Sequence, residues 1–417
     1  MYKGVFFCTF GYGELIPPLR MVEELIKQKH DIVCYCTSEY QPLIERSGAI
    51  FRDYNAYNDK ALIALCTMLI EQNNKRYLTY KEKKDIEVLK KKINERMYSK
   101  YKNEIDYKEI DYIITNYFNE FVVSLAEEYD LAVIYIHCNF AYCDEIITRE
   151  TDFAMKYFYN LDDYYTDEFL EDYHGIKKNK SKYDKIIHIL FFNKLLQPFY
   201  NYFDDSYKFV GSTVAQRRDF WGDELTNDSD IANDNIYISM GSVLSMRKYY
   251  LDFYLTCVEA FKNLSHQVII NVGTENKKTI LSKIDNIPEN IKLLSHAPQI
   301  KILEKSKLFI THGGMGSFQE ALYFGVKMII IPHNGDQFIT AKVAEENLIG
   351  LQSDIHVSKE KLIDLYNELE TNKDIEKSCR KFRNEVRRED GGKAGAAEII
   401  LFLEKHEKVY TAKPLII

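Results

Sequence analysis

The sequence holds no apolar run near the roughly 18 residues that a membrane span needs. It opens Met1-Tyr2-Lys3 and passes straight into the strand-like Val5-Phe6-Phe7-Cys8, without a leader-like stretch. It has no excess of positive charge: 55 Lys and Arg face 63 Asp and Glu, a formal net charge of −8. That disfavours a nucleic-acid-binding surface, and the basic stretch from Lys81 to Lys92 reads as a solvated helix face. The eight cysteines include no Cys-x-x-Cys pair. Cys34 and Cys36 alternate along one strand face and read as buried thiols. These traits lead us to expect a reduced, cytoplasmic protein with no integral membrane segment and no nucleic-acid partner.

What is present is an ordinary globular chain. Its 417 residues suffice for two domains with full cores, and 46% are hydrophobic and 28% charged. The 32 Tyr and 24 Phe suit an aromatic-lined pocket. The first strand, Val5–Phe10, is followed by the turn Gly11-Tyr12-Gly13-Glu14. A helix runs from about Pro17 to Lys29, with Leu19, Val22, Leu25 and Ile26 on one face. Strand Ile32–Cys36 completes a β-α-β unit. Helical sequence spans about 63–103, followed by strand Tyr112–Thr115, helix Asn119–Glu128 and strand Leu131–Ile136. The stretch 141–205 reads as helices and loops, and strand Tyr207–Val210 closes the first domain at Gly211.

The polar stretch 212–235 reads as a linker. Strands follow at Ile236–Met240, Gln267–Val272, Ile291–Leu294, Leu308–Thr311 and Met328–Ile331. We thus expect an α/β protein of two Rossmann-like domains facing across a cleft. The expected bounds are a first domain over 1–211, a second over 236–400, and a terminal helix and tail over 401–417.

The densest run of chemistry is Thr311-His312-Gly313-Gly314-Met315-Gly316-Ser317-Phe318-Gln319-Glu320. The apolar Leu308-Phe309-Ile310 precedes it and Ala321-Leu322-Tyr323 follows, so it reads as strand, glycine turn and helix start. A helix N-terminus offers backbone N–H groups and a partial positive charge, which suit a phosphate. His312 and Ser317 add side-chain donors, and Glu320 an acceptor. His296-Ala297-Pro298-Gln299 lies upstream, and Ile329-Ile330-Ile331-Pro332-His333-Asn334-Gly335-Asp336-Gln337 lies downstream. In this order and spacing the chain resembles the GT-B nucleotide-sugar glycosyltransferases, in the family of UDP-glucosyl-, glucuronosyl- and macrolide glycosyltransferases. The resemblance runs from His296 to Gly350 almost unbroken and more weakly over nearly the whole chain.

The resemblance implies an inverting transferase that moves a hexose from a nucleotide diphosphate sugar to a small, largely apolar acceptor. UDP-glucose is the expected donor, with TDP-deoxysugars as the alternative. It implies no cofactor beyond this co-substrate, no metal, and a monomer or homodimer. Asp228-Ser229-Asp230 matches a cation-holding motif of the other glycosyltransferase fold class, but in this polar linker it reads as an acidic loop. On the donor side, His296 would stand against the base where an aromatic is usual, and Gln299 near the base or ribose. His312, Gly314, Ser317 and the Gly241-Ser242 turn would hold the diphosphate, and Glu320 the ribose hydroxyls. Gly316, where the family more often has Asn or Ser, would offer its backbone. Asp336 and Gln337 would bind the sugar hydroxyls.

The acceptor side departs from the family pattern. The resemblance implies a catalytic histidine three residues before Pro17 and an orienting aspartate after strand 112–115. These positions hold Glu14 and Asn116. Three readings stay open. Glu14 is itself the base with Asn116 orienting it; or the acceptor needs little deprotonation, as an amine or carboxylate would; or the chain binds a nucleotide sugar without transferring it. His137 is a conceivable substitute base but reads as structural. A sugar-nucleotide epimerase shares this fold, and the Asp336-Gln337 pair argues against it.

Overall fold

The computed structural model describes residues 2–8, 12–54, 80–116, 119–154, 183–216, 225, 227–241, 250–284, 286–333 and 335–406. Two wholly parallel sheets dominate. The first contains β1 (Lys3–Phe7), β2 (Asp31–Cys36), β3 (Ile50–Asp53), β4 (Tyr112–Asn116), β5 (Ala132–His137), β6 (Ile186–Leu190) and β7 (Tyr207–Phe209), in the order β3-β2-β1-β4-β5-β6-β7. The second contains β8 (Asn235–Ser239), β9 (Val268–Asn271), β10 (Ile291–Leu294), β11 (Ser306–Thr311), β12 (Lys327–Ile330) and β13 (Gly350–Gln352), in the order β10-β9-β8-β11-β12-β13. Parallel pairing requires crossover helices that cover both faces, so central strands are buried throughout. All five residues of β4 and all five of β8 are buried.

This winding positions the site. In each sheet the chain builds outward on one side and then returns to build on the other. The strands that flank this reversal are β1 and β4 in the first sheet and β8 and β11 in the second. Their carboxyl-end loops diverge and leave a crevice between them. Those four strand ends lead to Glu14, Asn116, Gly241 and His312.

The Tyr12–Lys27 helix follows β1 and buries Leu15, Leu19, Met21, Val22 and Leu25. Each such side chain contributes on the order of 1.5–3 kcal/mol. Pro17 and Pro18 lie inside this helix and lack N–H groups, so the carbonyls of Gly13 and Glu14 lose their helical donors. The Cys138 thiol donates to the Glu14 carbonyl instead (3.4 Å). The loss is thereby partly offset, and the helix start is tied to the loop after β5.

The domains are joined at two points. The outgoing strap, Ser212–Gln216, meets the returning one at Glu389. Its Oε2 accepts from the Ser212 N–H (2.7 Å) and its Oε1 from Asn193 Nδ2 (2.6 Å). Gly391 then starts the Gly391–Lys405 helix, which packs along the Tyr12–Lys27 helix. A Cβ on Gly391 would lie 2.3 Å from the Gly211 carbonyl oxygen, so only glycine fits this crossing. Phe140, Phe192 and Leu196 of the first domain continue into the core of the second.

Several element bounds differ from expectation. The first helix starts at Tyr12 instead of Pro17, which puts Glu14 in its first turn. The returning helix begins at Gly391, ahead of the expected 401, and residues 407–417 lie outside the described set. Strand β6 sits within a stretch read as helices and loops; Ile186-Ile187-His188-Ile189-Leu190 is a short apolar run with no period to mark it as a strand. The edge strands β3 and β13 are four and three residues long, too short to stand out. The charged helix spans Tyr80–Glu104, while 63–79 of the expected helical stretch, together with Thr9 and Phe10, lie outside the described residues. No helix among the described residues is long and apolar enough to cross a membrane.

Candidate active site

The side expected to hold the donor is built around one imidazole. His312 follows β11, and its ring lies between two glycines. A Cβ on Gly241 would come within 2.5 Å of its Cε1, and one on Gly314 within 2.6 Å of its Nε2. Gly241 also adopts φ +75°, a conformation that side chains resist. Burial, with the charge of nearby His333, lowers the His312 pKa to about 4. The ring is therefore neutral at pH 7 and supplies a hydrogen-bond donor rather than a charge.

Positive potential comes from the Met315–Phe324 helix. Gly314 caps it, and the first helical bond runs from Phe318 N to the Gly314 carbonyl (2.9 Å). The N–H groups of Met315, Gly316 and Ser317 thus point out of the helix start, where an anion is best accommodated. Ser242 lies outside the described residues.

A partly buried network supports this turn. Gln299 Nε2 donates to Ser317 Oγ (3.0 Å) and to Glu320 Oε2 (2.6 Å), while Tyr237 Oη donates to Gln299 Oε1 (3.3 Å). Gln299 and Glu320 were expected near the base and ribose. Glu320 is fully buried, and one of its oxygens is engaged by Gln299. His296, in contrast, is exposed beyond the carboxyl end of β10, where a flat ligand can lie against it.

Asp336 opens the Asp336–Glu346 helix beside Gln337, whose Oε1 accepts from the His333 N–H (2.8 Å). Asp336 is half-buried, and its pKa is pushed up to about 6 by burial and then by the negative charge of Glu14. That second cause is informative. Glu14 belongs to the first domain and Asp336 to the second, so the charge of one domain's carboxylate reaches the other's.

On the acceptor side, Glu14 is half-buried and Asn116 is buried. Asn116 Nδ2 donates to Glu14 Oε2 (3.1 Å). Asn119 Nδ2 donates to Asn116 Oδ1 (3.3 Å) and to Thr115 Oγ1 (2.9 Å). The Cys138 thiol is pushed well up by burial and by the Glu14 charge. His137 is held elsewhere: its Nε2 lies 2.9 Å from His188 Nδ1, and burial lowers its pKa well below the usual value. That arrangement fits a structural histidine.

Thr115, Asn119, Cys138 and His333 were not singled out in the sequence. Only Asn116-x-x-Asn119 carried a signal, since asparagines at that spacing often bond locally at a helix start. The Asp228–Asp230 turn bonds through the Asp230 carbonyl to Gln267 and Lys292. Among the described residues no group of three or more His, Cys, Asp or Glu is placed to hold a metal ion.

Comparison with known proteins agrees with this geometry. The family described as erythromycin biosynthesis protein CIII-like, C-terminal domain, matches residues 256–391. An NDP-glycosyltransferase of Bacillus subtilis strain 168 is 26% identical over 401 residues, 95% of this chain and 96% of that protein. The calicheamicin glycosyltransferase CalG4 superposes with a TM-score of 0.75 at 17% identity, covering 97% of this chain and 99% of that one. This chain has the GT-B fold and is similar over nearly its whole length to glycosyltransferases. A spinosyn rhamnosyltransferase complexed with thymidine diphosphate shares the fold at a TM-score of 0.63 and 14% identity, over 96% of this chain and 100% of that one. The expected fold class holds.

Proposed function

We propose that the enzyme moves a hexose from a nucleotide diphosphate sugar to a small, largely apolar acceptor, with inversion at the anomeric carbon and Glu14 as the group that takes the acceptor's proton. The observation that carries this reading is what the two switch points hold: Glu14, bonded by Asn116 at 3.1 Å, at the first, and the His312 glycine turn with the Met315–Phe324 helix start at the second. A one-step displacement needs its proton acceptor on one side of the sugar carbon and its leaving group on the other. Glu14 lies on the first domain's side, and the His312 turn lies on the second's.

In this account the diphosphate rests on the N–H groups of Met315, Gly316 and Ser317 and on the neutral His312 ring. These fixed donors meet the charge that builds on the departing phosphate oxygen, without having to reorganise. Asp336 and Gln337 hold the sugar hydroxyls, and His296 stands against the base. The acceptor's nucleophile forms a bond to the anomeric carbon as the carbon–oxygen bond to the diphosphate breaks. Its proton passes to the Glu14 carboxylate. A free Glu side chain titrates near 4.3 against about 6.5 for His. The N–H that Asn116 supplies holds this carboxylate in a fixed orientation. UDP-glucose is the donor we favour. The thymidine diphosphate in the spinosyn rhamnosyltransferase makes a TDP-sugar the first alternative.

The test is mass spectrometry of the purified enzyme with UDP-glucose or TDP-glucose and a panel of phenols, polyketides and aryl amines. A hexose adduct, lost in Glu14→Gln, is expected. Tight nucleotide-sugar binding with no adduct from any acceptor would instead identify a protein that binds the donor without transferring it.

A further inference from the structure

The bonds behind Glu14 form a chain with a forced direction. A carboxylate only accepts, so Asn116 has to present its NH2 to Glu14 Oε2 (3.1 Å). Its Oδ1 then faces the opposite way, and in a buried side chain that oxygen needs a donor of its own. Asn119 Nδ2 supplies it at 3.3 Å. The same NH2 group also donates to Thr115 Oγ1 at 2.9 Å, which fixes the Asn119 amide in turn. The backbone holds the register, since Asn119 N donates to the Asn116 carbonyl at 3.3 Å.

We infer that Asn119 is a positioning residue for the transfer reaction: through Thr115 and Asn116 it fixes the direction of an amide that bonds the Glu14 carboxylate. This inference rests on the proposed role of Glu14 and extends it. Without Asn119 the Asn116 Oδ1 loses its donor, and only Glu14 is left to hold the NH2 toward the cleft. An Asn116 turned the other way would aim a carbonyl oxygen at Glu14, and like partial charges would push the carboxylate out of line. Asp336 across the cleft and the Cys138 thiol behind are ionisable groups that feel the Glu14 charge.

The decisive variant is Asn119→Asp, which keeps the size and removes the donor. A carboxylate at 119 would attract the Asn116 NH2 to itself and turn the amide. Partners that orient metal-bound groups cost about 10–100-fold when removed, and we expect a loss of kcat on that scale here. The KM for the nucleotide sugar and the melting temperature should hold. Asn119→Ser, which keeps an O–H donor, should recover part of the rate. In a Glu14→Gln background the Asn119→Asp change should cost nothing further.

A second readout needs no turnover. With selective 15N-asparagine labelling, the Asn116 side-chain amide should show one strongly deshielded proton in the wild type. That shift should be lost in Asn119→Asp and in Glu14→Gln. An Asn116 amide unchanged by Asn119→Asp, or a full rate in that variant, overturns the inference. If the resonance responds as expected but no acceptor is ever glycosylated, the positioning chain stands and the transferase reading falls.

Discussion

The two halves of the cleft hold their reactive groups by different means. On the donor side, His312 is fixed by what is absent: two missing Cβ atoms, at Gly241 and Gly314, leave a slot that fits an imidazole. The partial charge there comes from backbone N–H groups that folding itself puts in place. On the acceptor side, Glu14 is fixed by a chain of side-chain amides, each directed by the next. The first kind of site tolerates little sequence change. The second can be re-specified by exchanging partners, and Glu14 with Asn116 in place of the implied histidine and aspartate is such an exchange. Both pairs carry one negative charge. Here that charge lies on the first turn of the helix, within reach of Asp336, instead of at the end of β4.

Four substitutions sharpen this contrast. The largest effect is expected from Glu14→Gln, which should lower kcat by about 10²–10⁴-fold, the usual contribution of a positioned proton acceptor. Titration calorimetry should find UDP affinity unchanged, and equal turnover in this variant would remove Glu14 from the chemistry. Next, His312→Ala should weaken nucleotide binding by on the order of tenfold or more, since a buried donor to a charged group is worth about 1.5–3 kcal/mol. Gly314→Ala should do similar damage through the ring it displaces, because its new Cβ would meet His312 Nε2 at 2.6 Å. If nucleotide affinity were normal in both, the diphosphate would have to sit elsewhere.

The smallest effect concerns stability. Asp336 is held with its pKa raised to about 6 in the folded state. A raised carboxyl stabilises the fold while protonated, at low pH, and that contribution is lost as pH rises through about 6. Asp336→Asn should therefore stabilise the unliganded enzyme at pH 7.5 by on the order of 1–3 kcal/mol, and by little at pH 4. Melting curves at the two pH values check this. A gain of equal size at both would show that Glu14 and burial are not the cause.

Much of the donor half was legible in the sequence because its chemistry is local. Strand, glycines, His312 and helix start are consecutive residues, and the turn requires them in that order. The parallel sheets were legible for a related reason: strands buried on both faces, such as Tyr112–Asn116 and Asn235–Ser239, are apolar runs. The acceptor half was harder. Glu14 and Asn116 were placed by register against a family pattern, whereas their bond to each other spans 102 positions and depends on how β1 pairs with β4. The role of Asn119 was hidden because it acts through another amide. Strand β6 was hidden by its isolation, as its partners β5 and β7 are distant in sequence. The neutral state of His312 also had to come from the structure, since burial causes it.

The most direct test of the account is thermal unfolding of the wild type and His312→Ala with UDP, TDP, GDP and their sugars. A ligand at about 100 times its dissociation constant stabilises by about 2.7 kcal/mol, enough to move the midpoint by several degrees. The account predicts such a shift with UDP or TDP in the wild type and its loss in the variant. No shift with any nucleotide, or an equal shift in both proteins, would contradict the claim that His312 and the Met315–Phe324 helix form the donor site.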